Sequence, residues 1–386
     1  MVVGEIIFQR EINMTKIGSI IRKVIVIALL VAVIVVLAVL KKNQEVAEVM
    51  SRTTMRWYTK GASTFSSWVP FMSLSEVIIV LLVIVCVVLL VLTIANLVKL
   101  RILKAANRLL AIPLIVLTVV AIYSFSCEAA YNRKKMPLPY YENEVVREDF
   151  VKIHNYFADD LNACISALEF EENGDVKGKK LSEIADAVKE AYNIVTDDYF
   201  HPHIGSVKPM ASSFIYRELQ ITGVTISPLG EANINILNTH VNTPFTVAHE
   251  LAHTKGVMRE DDANQLAFYV CINSNDPYLR YSAYVAYFYQ VQSMCSTSYL
   301  TDEMREDLHT VSNEYYKTKK YVSDFWSKHH ALSDIGDWFN NLYIKSSGVK
   351  EGTTSYSGGT EYEFDPLTNK FYASKYQKLF FEKYYR

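Results

Sequence analysis

Three uncharged apolar stretches near the start of the chain restrict its fold more than any other feature. Residues 24–40, 77–98 and 109–127 are dominated by Val, Ile, Leu and Ala, and Arg22-Lys23 and Lys41-Lys42 bracket the first. At a helical rise of about 1.5 Å per residue, the second and third can cross a hydrocarbon core of roughly 30 Å, and the first can with help from its flanks. In lipid a lone segment satisfies its backbone only as a helix, so three transmembrane helices are expected, and Pro113 in the third is tolerated there. A soluble helical core would not carry three such runs with cations at their ends. A cleaved signal peptide is disfavoured by the long charged leader and by the lack of a small-x-small site after Leu40. Residues 1–136 therefore read as a multi-pass anchor whose partner is the lipid bilayer of the cell membrane.

Three spans put the N-terminus and the loop Lys99–Arg108 on one side. Lys99, Arg101, Lys104 and Arg108 lie in that loop, and Arg10, Lys16, Arg22 and Lys23 precede the first span on the same side. By the positive-inside rule that side is cytoplasmic, and the C-terminal region faces outward. Lys41, Lys42, Arg52, Arg56, Lys60 and Arg133-Lys134-Lys135 pull the other way. The formal net charge of −2, with no phosphate-cradling loop and no basic patch, argues against a nucleic-acid partner.

Within residues 137–386 the stretch Thr243-Pro-Phe-Thr-Val-Ala-His249-Glu250-Leu-Ala-His253-Thr-Lys-Gly256 organises the rest. Thr243 is a candidate cap, Pro244 sits where its missing N–H is harmless, and Gly256 suits a left-handed closing turn, so a helix over 244–255 is expected. On a helix, His249 and His253 share one face and are spaced to share one metal ion. Chance alone places His-Glu-x-x-His in roughly one chain in a hundred of this composition. The capped helix, the closing Gly256 and a Glu-x-x-Ala-Asn run at short spacing make coincidence a poor explanation. Zinc at a catalytic site takes three protein ligands and keeps an open position. A third histidine is ruled out because Arg259 occupies its place. Glu260, one residue later, opens Glu260-x-x-Ala263-Asn264 and is the expected third ligand. Glu250 is off the ligand face and is the candidate general base. Asn264, a turn after Glu260, is expected to accept the second ring N–H of His249.

This pattern resembles the gluzincin class of zinc metallopeptidases, especially the integral-membrane branch that includes the CaaX-processing and heat-shock membrane proteases. The runs Gly230-Glu-Ala-Asn-Ile-Asn, Pro-Phe-Thr-Val-Ala-His-Glu-Leu-Ala-His and Glu-Asp-Asp-Ala-Asn, with three apparent spans, are similar to a bacterial family of unknown function predicted to be zincin-like. The resemblance implies one Zn2+ on His249, His253 and Glu260, with Glu250 catalytic. Asn264 stands where better-studied members carry Asp and would polarise its histidine less. The implied fold is an α+β zincin-like domain, mainly α with a small β-sheet, over residues 137–386. The implied activity is hydrolysis of peptide bonds, by a zinc-activated water, in a protein or peptide near the membrane. The alternative is a non-catalytic zincin-like protein that uses zinc structurally and binds a partner. An intramembrane protease would need the motif inside a span, and Thr243–Asn264 is too charged for that.

Zincins often pair an extended substrate with a strand just before the metal helix. That strand is expected at Ala232, Asn233, Ile234 and Asn235, in a hairpin-like stretch from Gly223 to Leu237 that carries two strands and a turn. Such enzymes also commonly supply a late Tyr, His or Arg to stabilise the charge developing on the scissile carbonyl. Tyr356, in a Gly/Ser loop, is the candidate, with Arg280 and His329 behind it. Amphipathic helices are expected over 143–166 and 180–196. Tyr278, Tyr281 and Tyr284 read as a core stripe, and a helical region over 301–346 has Trp326 and Trp338 as its core anchors. Cys271 and Cys295 are the one pair considered for a disulfide, with free buried thiols the equal alternative.

Overall fold

The computed structural model describes residues 2–292, 300–347, 349–365, 367–368 and 370–385. Cys295 lies outside them, and Cys271 is a free, buried thiol. The chain is mainly helical with two small sheets. It divides into two units, Met1–Tyr58 with Leu74–Arg133, and Thr59–Ser73 with Lys134–Arg386.

The first unit holds α1 (Val2–Leu40), α2 (Gln44–Met50), the start of α3 (Arg56–Ser67), α4 (Leu74–Val98), α5 (Ile102–Leu109) and α6 (Ala111–Ser126). Three segments, Met14–Leu40, Leu74–Val98 and Ile102–Ser126, are long and apolar enough to cross a membrane. Few of their residues are buried inside the protein, as side chains bathed in lipid require. Polar residues meet at the ends of these segments. Ser19 Oγ donates to Asn107 Oδ1 at 2.9 Å, and the buried Arg133 Nη2 pairs with Glu48 Oε1 at 2.8 Å.

The second unit continues with α7 (Arg147–Ser166), α8 (Leu181–Ala191), β1 (Ser206–Pro209), α9 (Ser213–Glu218), β2 (Gly223–Ile226), β3 (Glu231–Ile234), α10 (Thr243–Thr254), α11 (Glu260–Ile272), α12 (Pro277–Gln292), α13 (Asp302–Glu306), α14 (Asn313–Lys328), α15 (Ser333–Ser346), β4 (Glu363–Asp365), β5 (Lys370–Tyr372) and α16 (Lys375–Tyr385). Its core gathers α7, α10, α11, α12 and α16 around Phe150, Phe157, Leu251, Leu266, Phe268 and Phe380. Tyr278, Tyr281 and Tyr284 are fully buried on the inner face of α12.

The three-stranded sheet has the order β1-β3-β2, and α10 packs against β2 and β3. β3 runs parallel to β1, with Val207 opposite Ala232, and antiparallel to β2, with Val224 opposite Asn233. This overturns the expectation that Ala232–Asn235 is the strand with which an extended substrate pairs. β3 is the central strand and both its ladders are filled. The strand that fills the second ladder, Ser206-Val-Lys-Pro209, has no apolar alternation to announce it, and its parallel partner lies more than twenty residues away in sequence. Residues 301–346 are helical as expected, in three helices broken at 307–312 and 329–332. Trp338 is no core anchor but lies in the open, 60 % exposed.

The segment Thr59–Ser73 is fastened to β1 and β3 by buried polar groups. Ser66 Oγ donates to Glu231 Oε1 at 2.8 Å and meets Ser206 Oγ at 3.0 Å. Lys208 Nζ donates to the carbonyls of Ser66, at 2.8 Å, and Val69. It also lies 4.0 Å from Glu231, with both side chains fully buried. Removing one member of a buried ion pair strands the other charge, at a cost of about 3–5 kcal/mol. Lys208→Met is therefore expected to lower the melting temperature of the detergent-solubilised protein by roughly 10 °C. A circular-dichroism melt shifted by no more than about 2 °C would show that the pair does not hold this segment.

Candidate metal centre

α10 begins after Asn242 with Pro244 in its first turn. The expected Thr243 cap is not formed, because Thr243 Oγ1 turns back to the Thr239 carbonyl. The C-terminal end closes as the sequence suggests. Gly256 adopts φ +86°, its N–H donates to the His253 carbonyl, and the Val257 N–H donates to the Ala252 carbonyl. This is the double bond of a left-handed glycine cap.

The cap also sets the chemistry of one candidate ligand. The turn brings the Val257 carbonyl to His253 Nδ1 at 2.8 Å. A carbonyl only accepts, so Nδ1 carries the proton of the neutral ring and Nε2 is left with its lone pair. That Nε2 lies 3.5 Å from Glu260 Oε2, and His249 Nε2 lies 3.1 Å from the same oxygen. Glu260 reaches them because α11 starts at this residue, four positions beyond the glycine turn. One ligand atom from each of the three residues falls within 4.8 Å of the others. Tetrahedral zinc with bonds of about 2.0–2.1 Å holds its ligand atoms about 3.4 Å apart. The two distances to Glu260 bracket that spacing, and two imidazoles with one carboxylate suit zinc.

The charges match the same reading. Burial opposes ionisation of Glu260, but the two imidazoles override it and hold its carboxyl far below the usual range. Burial likewise opposes a charge on His253, and the Glu260 carboxylate overrides it, drawing the imidazole up to about 9.

Glu250 sits beside the cluster, fully enclosed, on the face of α10 that meets β2. Thr225 Oγ1 donates to Glu250 Oε2 at 2.8 Å. Gly223 makes the room: a Cβ there would meet Glu250 Cγ and Oε1 at 2.7 Å. Burial raises the Glu250 carboxyl above its ordinary value, against the pull of His249 and His253 and the bond from Thr225. Sequence reasoning missed Thr225 and Gly223. The only signal was the small-then-hydroxyl pair two residues apart on a strand, which puts both on one face.

Tyr356 is brought to the cluster from more than ninety residues beyond Glu260. Its ring lies 6.5 Å from that of His249, nearly parallel, and its hydroxyl accepts from Asn340 Nδ2 at 3.3 Å. Burial, with Glu260 and Glu250 nearby, pushes its phenol well above the usual range. Asn264 has another partner than expected. Its Nδ2 donates to the Tyr356 carbonyl at 3.3 Å, and His249 Nδ1 has no hydrogen-bond partner among the described residues. His249 turns Nε2, not Nδ1, to Glu260. Arg280 pairs with Asp160, at 3.2 Å, and His329 with Glu218, at 2.9 Å, so neither joins this cluster. Ala232, Asn233, Ile234 and Asn235 lie in and just after the central strand beneath it.

No curated protein and no solved structure matches the chain. The family described as protein of unknown function (DUF3810) matches residues 50–362. That match covers α4 to α6, the three-stranded sheet, the His249–His253–Glu260 cluster and Tyr356, and the chain belongs to this family.

Proposed function

We propose that the second unit is a zinc-dependent endopeptidase held at a membrane, of the gluzincin kind its motif resembles. The convergence of His249, His253 and Glu260 on one point, with the Glu250 carboxylate beside it, carries the reading. Zinc bound there would polarise a peptide carbonyl and make water a competent nucleophile at neutral pH. Glu250 would take a proton from the attacking water and pass it to the departing amine, in an orientation set by Thr225 and Gly223. Tyr356, kept protonated by burial, offers its hydroxyl to the charge growing on the scissile carbonyl oxygen.

The edge of β2 is the place for an extended substrate. The Asn235 N–H donates to the Thr222 carbonyl, so by the alternation of an antiparallel ladder the backbone groups of Gly223 and Thr225 point away from β3. A peptide laid along them would pass directly over Glu250. The direct test measures zinc content and cleavage of a denatured protein for the wild type and Glu250→Gln. Zinc-loaded wild type that cleaves nothing would refute the proposal.

The cradle gives a separate expectation. Gly223→Ala should push the Glu250 carboxylate off Thr225 while leaving the three ligands in place, and a displacement near 1 Å costs up to about 100-fold in rate. Full zinc occupancy with a fall of about tenfold or more in kcat is the expected result. An unchanged kcat would show that the glycine does not position the base.

A further inference from the structure

α15 turns an apolar stripe away from the fold. Ile335, Trp338, Phe339 and Leu342 recur at three- and four-residue spacing, which places them on one face, and they are 49–60 % exposed. The other side of the helix is fixed. Gly336 lies so close to the Leu219 carbonyl that a Cβ would meet its oxygen at 2.4 Å. Asn340 reaches Tyr356, and Ile344 is fully buried. The rotation of α15 is therefore set from inside, and the stripe faces outward because of it. Beyond it lies α9, whose Glu218 carbonyl accepts the Leu332 N–H at 3.0 Å and whose Phe214 is also exposed.

We infer that this stripe beds in the lipid surface of the membrane, as a contact separate from the crossing helices. A row of four large apolar side chains, two of them aromatic, is more than the scattered exposure of an ordinary surface. The tether names the occupant. Ser73 belongs to the same unit as α15, and the next residue, Leu74, starts a 25-residue apolar helix. At no more than about 3.6 Å per residue, Trp68 lies within about 22 Å of that start. Trp68 and Phe71 are 74 % and 72 % exposed, and Trp and Phe of this kind favour the lipid–water boundary. The hydrogen bonds of Ser66 to Glu231 and Ser206 fasten this boundary segment to the sheet of the same unit. Asp334 borders the stripe, so the attraction is apolar and neutral phosphatidylcholine suffices.

The test uses the full-length protein with Trp57, Trp68 and Trp326 replaced by Phe, so that Trp338 is its sole tryptophan. It is reconstituted in phosphatidylcholine vesicles with and without lipid brominated near the headgroup end of the acyl chains. Trp338 emission is expected to fall to about half or less in the brominated lipid, as for a ring seated at the acyl boundary. Adding Ile335→Glu and Phe339→Glu should abolish that quenching while leaving the thermal melt unchanged, since both side chains are exposed. Equal emission in the two lipids overturns the inference, as does unfolding of the Glu variant, which would mean that the stripe packs internally. Unquenched Trp338 together with a disulfide-linked dimer of Leu342→Cys chains would assign the stripe to a second copy instead.

Discussion

Glu250→Gln is expected to retain about one zinc ion per chain while losing about 10²–10⁴-fold in peptide hydrolysis, the usual contribution of a positioned general base. The separation comes from the geometry. Glu250 shares α10 with both histidines but points at β2, where Thr225 Oγ1 holds it, and the amide of Gln can keep that hydrogen bond. The substitution keeps the shape of the side chain and removes the carboxylate's charge, and with it the ability to accept a proton. The proposed zinc ligands should stay in place, because His253 takes its tautomer from Val257 and Glu260 comes from α11. Zinc content and the rate of cleavage of denatured casein, measured on the same preparation, decide the matter. Retained zinc with cleavage within about threefold of wild type would exclude Glu250 as the base. A wild type that binds zinc and cleaves nothing would favour the non-catalytic reading.

The parts of this site legible in the sequence were those written in local spacing. Two histidines one turn apart, a glycine at the helix end and a glutamate four residues beyond that glycine are close enough along the chain for helical geometry to determine where they meet. The three apolar segments were legible for the same reason, since a run that must satisfy its own backbone in lipid has one way to fold. What failed depended on partners far away in sequence. β3 looked like an edge because its hairpin with β2 is local, whereas β1 pairs with it in parallel from a stretch that includes a buried Lys208. Helical phase alone points Asn264 at His249, and the Tyr356 carbonyl, arriving from the far end of the chain, takes its amide. Size and apolarity alone point Trp338 to the core, and it lies in the open. On α15 the tight approach of Gly336 to Leu219 decides which face is buried, and a glycine leaves no mark in a hydrophobic pattern.

Chelation of the metal is expected to lower the melting temperature of the zinc-loaded protein by roughly 10 °C. A ligand that binds only the folded state, present at about a thousand times its Kd, stabilises by about 4 kcal/mol. For a domain of this size each kcal/mol moves the transition by about 2–4 °C. His253, Glu250 and Glu260 are all buried, so the cluster depends on opposite charge for compensation. The pH dependence identifies the ligand. With His253 held at about 9 by Glu260, a proton occupies Nε2 below that pH and must leave before a cation can bind. Apparent zinc affinity should therefore rise by about tenfold per pH unit as pH increases toward 9 and level off above it. Glu260 adds no slope there, because its carboxyl is held far below the usual range and is already ionised. Competition with a chelating dye between pH 6.5 and 9.5, a range of about three units spanning that point, measures the slope directly. A flat profile would mean that His253 gives up no proton to the metal, and an unchanged melt after chelation would mean that zinc is not bound by these three side chains at all.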